Sequence, residues 1–499
     1  MTPTAVGRAL ARNTLWYGAV TVFGIVAGLV MSVLLARGLG PERMGEYSYV
    51  AWASRIMQVV TILGLASATA RYTGNALGGG DRRLAWGLVR LLLRYQVVTV
   101  IVFAAVVLPA IMLFAGDRLR LPLAVAVVGL LANNAEAIFT NALYGAQRYD
   151  LTARTSALKM SLQIVATSVA LAVGADVLGV VVGMTLATAV SFEAQRRTAR
   201  RLYPADDPAP PPAEGRPEMQ RYLLALAATA VLDAIVWNRS EVFFLGLSVP
   251  PAQIAFYTLA YGLATKAMLL PEIVSAPLLP AFSTLHGQRS SAHFREVYRS
   301  AIRYVALVGA PIAAIGAALA PAIFVLLYGE PYAAAATLFQ LFTAVAVVAA
   351  MRKIAWTALF AIGDRRHTLA GTAAGAVLTL GLAALLVPVY GTYGAVAANA
   401  VAQITAAVWG FVVIARLEGC GFPLLDVAKA GAAALLALLV SGAVAGDSVA
   451  LARLVAAGIA GAATFAAGAV VTGVLGSREW ALLQTSARRL VAAGRASSA

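Results

Sequence analysis

The chain has 499 residues, 61% of them hydrophobic and 12% charged, with a net charge of +16 and one cysteine. That balance excludes an ordinary soluble domain, in which about a quarter of the residues are charged. One cysteine excludes an internal disulfide or a cysteine-built metal cluster. The bases sit in short breaks between apolar runs, which argues against nucleic acid as a partner. A bilayer core of about 30 Å takes roughly 20 apolar residues per helix, so the chain is expected to be an all-α polytopic membrane protein of about 14 transmembrane helices.

In chain order, Arg8 and Arg12 precede an apolar stretch that runs to Ala36. It is too long for a secretory signal and is expected to be a retained first span. Further spans are expected near 46–69, 88–115, 121–145, 152–174 and 177–198. A hydrophilic break at 199–220 follows, with Pro204, Pro208, Pro210, Pro211, Pro212 and Pro217. Proline denies it a stable helix, so it reads as a linker. The second series lies near 221–247, 253–284, 300–328, 332–361, 367–388 and 392–416, and two more spans lie near 424–445 and 449–475. The expected domains are a bundle over 1–198, a linker over 199–220, a bundle over 221–417, and two extra spans with a basic tail over 418–499.

Arginine supplies the charge asymmetry, since 34 of the 38 basic residues are Arg. Arg82, Arg83, Arg196, Arg197, Arg200, Arg201, Arg289, Arg295, Arg299 and Arg366 fall in one set of alternating breaks. The other set holds little beyond Arg37, Arg43, Arg118 and Arg120. The positive-inside rule then puts both termini in the cytoplasm, and the expected location is the cytoplasmic (inner) membrane.

The two series of spans share local sequence. Pro41-Glu42-Arg43-Met44-Gly45-Glu46-Tyr47 parallels Pro251-Ala252-Gln253-Ile254-Ala255-Phe256-Tyr257. Leu113–Asp117 parallels Leu326–Glu330, Tyr144–Arg148 parallels Ala361–Arg365, and Gly179 with Gly183 parallels Gly391 with Gly394. The offsets of roughly 210 to 217 residues describe one internal repeat. An even number of spans per repeat gives two pseudo-symmetric six-helix bundles of like orientation.

Leu39-Gly40-Pro41-Glu42 through Tyr47, Leu327-Tyr328-Gly329-Glu330 with Tyr332, and Gly391 with Gly394-Ala395 resemble polysaccharide-transport flippases. These form a branch of the multidrug/oligosaccharidyl-lipid/polysaccharide exporter superfamily. The resemblance implies twelve core helices in two bundles and two added C-terminal helices. It also implies a cargo: a polyprenyl-pyrophosphate-linked oligosaccharide, moved to the outer leaflet by alternating access for surface polysaccharide biosynthesis. Membrane lipids and polysaccharide-assembly proteins would be the partners. The open alternatives are a peptidoglycan-precursor flippase, a cation-coupled multidrug exporter of the same superfamily, and a membrane polysaccharide polymerase or ligase.

An ionisable group in hydrocarbon is expensive, so those within spans are candidate site residues. Arg55 in span two and Lys266 in span eight occupy related places in the repeat. They are expected to bind a diphosphate, or else to pair with a buried acid or snorkel. Arg12 is a further ligand candidate, or a plain positive-inside anchor, and Arg352 and Lys353 in span ten are further ligand candidates. Asn133, Asn134, Glu136 and Asn141 recur near helical spacing in span four; they would line one polar face for sugar hydroxyls or hold helices together. Glu136, Asp233 and Glu272 are candidates to carry a coupling cation. Glu241 and Arg239, two apart, cannot share a helix face, and each needs a partner elsewhere. No GxxxxGK[ST] loop is present, and His286, His293 and His367 fall in expected loops, so no cofactor, metal or enzymatic activity is expected.

Overall fold

A straight helix of 60 residues would be about 90 Å long, three times a bilayer core. The first helix, α1 (Pro3–Ile62, 60 residues), meets this constraint with a break at Gly40, whose φ of 72° and ψ of 170° leave the helical region. Pro41 opens the second arm, where its missing N–H costs nothing. The computed structural model describes residues 3–203, 239–269, 277–446 and 448–474, with positions 219, 221, 223, 227 and 271 between them. Every described element is helical and none is a strand.

The elements after α1 are α2 (Leu65–Gly78), α3 (Arg82–Phe114), α4 (Asp117–Gly145), α5 (Tyr149–Ala172) and α6 (Val177–Leu202). Then come α7 (Glu241–Ser248), α8 (Pro251–Ala267), α9 (Leu278–Gly287) and α10 (Ser291–Tyr328). A 3-10 turn (Glu330–Tyr332) leads to α11 (Ala335–Ala361), α12 (Arg365–Glu418), α13 (Leu424–Ala445) and α14 (Leu451–Val471). Ten of these helices are long and apolar enough to cross a membrane. α12 repeats the device of α1: its 54 residues break at Gly391, with φ 56° and ψ −130°. A Cβ on Gly394 would lie 2.2 Å from the Leu386 carbonyl oxygen. Eight residues along a straight helix are about 12 Å apart, so the chain reverses at this joint. The expected spans near 14–36 and 46–69, and near 367–388 and 392–416, are the arms of these two broken helices. Span two also breaks again at Leu63 (φ 44°) and Gly64 (φ 72°), which separates α2 from α1.

Aspartates start several helices where the sequence turns. Asp81, Asp176 and Asp364 accept from backbone N–H groups of Leu84, Leu178 and His367 respectively, which satisfies donors that a first turn leaves open. The histidines expected in loops sit at helix ends. His286 faces Glu418 at 3.2 Å and His367 faces Asp364 at 2.7 Å. His293 meets the Ser290 hydroxyl at 2.9 Å.

Two compact units result: Met1–Thr258 with Thr379–Ala395, and Leu259–Leu378 with Val396–Ala499. The first has a core of Leu65, Trp86, Leu92, Ile138, Phe139, Leu143 and Tyr203. The second packs Phe282, Phe294, Tyr298, Ile302, Ile354, Leu359, Ile414 and Cys420.

Within the first unit, the two copies of the repeated proline motif touch. A Cβ on Gly45 would lie 1.7 Å from the Pro251 carbonyl oxygen, so only glycine fits there. Thr258 Oγ1 donates to Ser48 Oγ at 3.0 Å, across a separation of 210 residues. That separation is the repeat period itself, as direct contact of equivalent residues near a two-fold axis requires.

Candidate functional site: a polar cleft in the first unit

Three helices of the first unit each turn one face to a cleft of about 220 Å³. Tyr47, Val50, Ala51 and Ser54 come from α1, Ala126, Gly129, Leu130 and Asn133 from α4, and Val181, Met184, Thr185 and Thr188 from α6. The spacing of three and four within each set is that of a single helix face. Glycine and alanine on α4 leave the space, and Asn133, Ser54, Thr185 and Thr188 supply polar groups.

A charge lies beside the cleft. Lys159 on α5 donates from Nζ to Asn133 Oδ1 at 3.2 Å and to Glu136 Oε2 at 2.5 Å. Glu136 is 4% exposed. Its other oxygen accepts from Ser191 Oγ at 2.9 Å and Gln195 Nε2 at 3.3 Å. Gln195 is fixed in turn by Thr140 Oγ1 at 2.7 Å. Gln163, one turn beyond Lys159, donates to Thr188 at 3.3 Å. The carboxylate thus accepts three donors from two neighbouring helices, which makes its burial tolerable.

The asparagines divide between the two expected roles. Asn133 faces the cleft, whereas Asn134 is fully buried on the other side and donates from Nδ2 to Thr61 Oγ1 at 2.7 Å. Gln96 joins it by donating to the Thr61 carbonyl at 2.9 Å. Adjacent helical positions point about 100° apart, so the period at 133, 134 and 136 could not hold a single stripe. Asn141 turns back to the carbonyl of Ala137 at 2.9 Å.

Arg12 and Arg55 are exposed, and Arg55 donates to Gln58 of its own helix at 3.2 Å. Lys266 is half-buried on α8, with Nζ 3.5 Å from the Gly262 carbonyl. Arg352 is half-buried on α11, its guanidinium over the Trp356 ring at 6.0 Å, while Lys353 beside it is exposed. Arg55 belongs to the first unit, and Lys266, Arg352 and Lys353 to the second. Glu241 is fully buried and finds its partner in the Tyr257 hydroxyl, which donates to it. Asp233 and Glu272 lie outside the described residues.

Sequence reasoning missed Lys159. Its signal was a polar stripe on α5, Thr155, Lys159 and Gln163, at intervals of four, in a helix that also carries Thr152, Arg154, Ser156 and Ser161. Thr188, Ser191 and Gln195 give α6 a matching stripe.

A family model described as a polysaccharide biosynthesis protein matches residues 10–286. One described as lipid II flippase MurJ matches residues 263–460. No curated protein matches the chain. Among solved structures, the lipid II flippase MurJ in an inward closed conformation is similar with a TM-score of 0.73 at 13% identity, over 92% of this chain and 99% of that one. An inward-facing multidrug resistance MATE family transporter has a TM-score of 0.66 at 18% identity, over 79% of this chain and 94% of that one. A MOP superfamily transporter from Pyrococcus furiosus Vc1 (DSM3638), described as having a binding pocket of reverse polarity, has a TM-score of 0.52 at 16% identity, over 79% and 95%.

Proposed function

The chain belongs to the polysaccharide biosynthesis protein family of the multidrug/oligosaccharidyl-lipid/polysaccharide exporter superfamily, and from that premise we propose that it flips a polyprenyl-pyrophosphate-linked oligosaccharide across the cytoplasmic membrane. The observation that carries this reading is the cation Lys159, held beside an open polar cleft inside membrane-length helices. A charge kept in hydrocarbon marks a pathway by default, and a multiply charged diphosphate needs cations on its way.

In this reading the halves are the bundles 1–198 and 221–417, with both termini cytoplasmic and two added C-terminal helices. They rock so that the cargo headgroup meets water from one side at a time, while its lipid tail stays in the bilayer. Arg55 and Lys266 receive the diphosphate, with Arg12, Arg352 and Lys353 along its route. Asn133 and Thr188 bond sugar hydroxyls in the cleft. An arriving anion competes with Glu136 for Lys159, and the released carboxylate is the group a coupling cation meets. Asp233 and Glu272 are further coupling groups. No ATP-binding loop is present in the sequence, so the gradient supplies the energy, at about 2.3 kcal/mol per charge per 100 mV.

A second reading has its own support. The lipid II flippase match over 263–460 and the similarity to the MurJ structure favour a peptidoglycan lipid precursor, which shares the diphosphate chemistry. Both readings are tested in proteoliposomes that carry the full-length chain and either labelled lipid. Translocation of the oligosaccharide lipid alone supports the first reading, and of the peptidoglycan precursor alone the second. Arg55→Ala, Lys159→Ala and Lys266→Ala should each slow it at least tenfold. Full activity in all three variants would defeat the site assignment.

A further inference from the structure

The second unit holds a larger cavity, of about 800 Å³, on the opening turns of α10. Arg295, Arg299 and Arg303 line it at intervals of four, so they form one stripe along the helix. Opposite lie Phe422 and Pro423 of the connection between α12 and α13, and Leu424, Leu425 and Asp426 of the first turn of α13. This loop is built to receive guanidinium groups. A Cβ on Gly419 would stand 3.1 Å from an Arg295 nitrogen, and one on Gly421 would stand 3.0 Å from an Arg299 nitrogen. Gly419 also has a φ of 68°, a conformation that L side chains rarely adopt. Arg299 Nε donates to the Gly421 carbonyl at 3.3 Å, which orients the fork while its other donors remain for a ligand. Phe411 packs against Phe422, with ring centroids 4.6 Å apart and the rings tilted by 44°, and so tethers the loop to α12.

Three features narrow the ligand. The arginine stripe suits a phosphate, because planar forks bind its oxygens in pairs. Glu296 and Asp426 line the same cavity. They would repel a bare multivalent anion and lower the summed side-chain charge to +1, but they can accept bonds from hydroxyls beside a single phosphate. Leu424 and Leu425 are 70% and 67% exposed where the apolar α13 begins. An exposed leucine pair next to arginines is the signature of a membrane–water boundary, where chain and headgroup are bound together.

We propose that this cavity binds the headgroup of an acidic glycerophospholipid, with its phosphate on Arg295, Arg299 and Arg303, its headgroup hydroxyls toward Glu296 and Asp426, and its acyl chains along Leu424 and Leu425. The site is lined by residues of the second unit and the cleft at Lys159 by residues of the first, and it does not depend on which cargo is moved. It ties a resident lipid to the joint between α10 and the first of the two added helices.

The experiment uses the full-length chain purified in detergent, with lipid retention read by native mass spectrometry. The probes are phosphatidylglycerol, phosphatidylcholine and inorganic phosphate. The wild type is expected to retain phosphatidylglycerol over phosphatidylcholine by roughly tenfold or more. Arg295→Gln with Arg299→Gln should bring that ratio near one, while Arg366→Gln, a basic control that does not line the cavity, leaves it unchanged. Should the double variant not fold, Arg299→Lys carries the test: it keeps the charge but loses the fork, and is expected to lower the ratio severalfold. Equal retention of the two lipids by the wild type overturns the proposal. So does an unchanged ratio in the variants that fold, or an equal loss in the control. If millimolar phosphate displaces phosphatidylglycerol completely, the site is one for a free anion and the lipid assignment fails.

Discussion

The two charged regions solve different problems. In the first unit, Lys159 and Glu136 lie inside membrane-length helices, and each is held by several groups from neighbouring helices. In the second unit, Arg295, Arg299 and Arg303 sit on the first turns of one helix, against a glycine-bearing loop. Deep in the bilayer a charge survives only if other helices supply partners, so its neighbours are distant in sequence. At the edge, water and headgroups do that work, so a stripe on one helix is enough.

That contrast makes the lysine pair the more fragile of the two. Lys159→Met leaves a carboxylate, 4% exposed, without its cation. The expected loss is about 3–5 kcal/mol of stability, with translocation abolished. Adding Glu136→Leu removes the stranded charge and should recover most of the stability, because a well-packed apolar pair is often as stable as a buried ion pair. Thermal unfolding in detergent reads both variants. An equal loss in the single and double variants would show that the pair serves only as packing and would erase the distinction from the arginine stripe.

The same reasoning explains what was legible in the sequence. The spans were readable because bilayer thickness imposes a length, and Gly40 and Gly391 marked the joints at which two helices were each divided. The repeat was readable because the motifs at Pro41 and Pro251 keep their order, and the structure brings Ser48 and Thr258 into contact. The arginine stripe was visible as part of the positive-inside pattern, but its loop was not: Gly419 and Gly421 become meaningful only once packed beside it. Lys159 does not stand out in the sequence because its helix also carries Arg154 and several Ser and Thr, and its partners lie 23 and 26 residues away on another helix. For Asn134 the sequence leaves two roles open, a cleft-facing polar group or a contact between helices, because local spacing cannot say which neighbour fills the far side; in the structure it meets Thr61.

Asn134 offers the next largest effect. It anchors α4 to Thr61 on α1 with both groups fully buried. Asn134→Ala leaves Thr61 without that donor and should cost about 1–3 kcal/mol while sparing cargo specificity. Asn133→Ala, on the cleft side, should do the reverse: little stability lost, but a raised half-saturating cargo concentration in the vesicle assay. If both variants behave alike, the division of α4 into a structural and a cargo face collapses.

Arg295→Gln with Arg299→Gln should cost less than about 1 kcal/mol in lipid-free detergent, because half-buried and exposed guanidinium groups add little to folding. A loss matching that of Lys159→Met would mean that the stripe is structural and that the two regions do not differ in kind.

The smallest effect is read at Cys420, between Gly419 and Gly421 of the loop that faces the arginine stripe. It is fully buried. Burial, followed by Glu418, pushes its thiol up to about 11, against the opposing pull of Arg295 and Arg299. At pH 8 a thiol at that value is about 0.1% thiolate, against roughly a quarter for an ordinary thiol near 8.5. Alkylation of the folded chain should therefore be at least a hundredfold slower than after unfolding. Because the folded value is raised, the neutral thiol contributes stability that is fully present below about pH 8.5 and is lost as pH rises through about 11. The two arginines lower the value, so replacing them with glutamine should shift the alkaline rise in labelling to higher pH. An unchanged profile would show that the guanidinium groups do not act on this loop, and the cavity proposed for the phosphate would lose one wall.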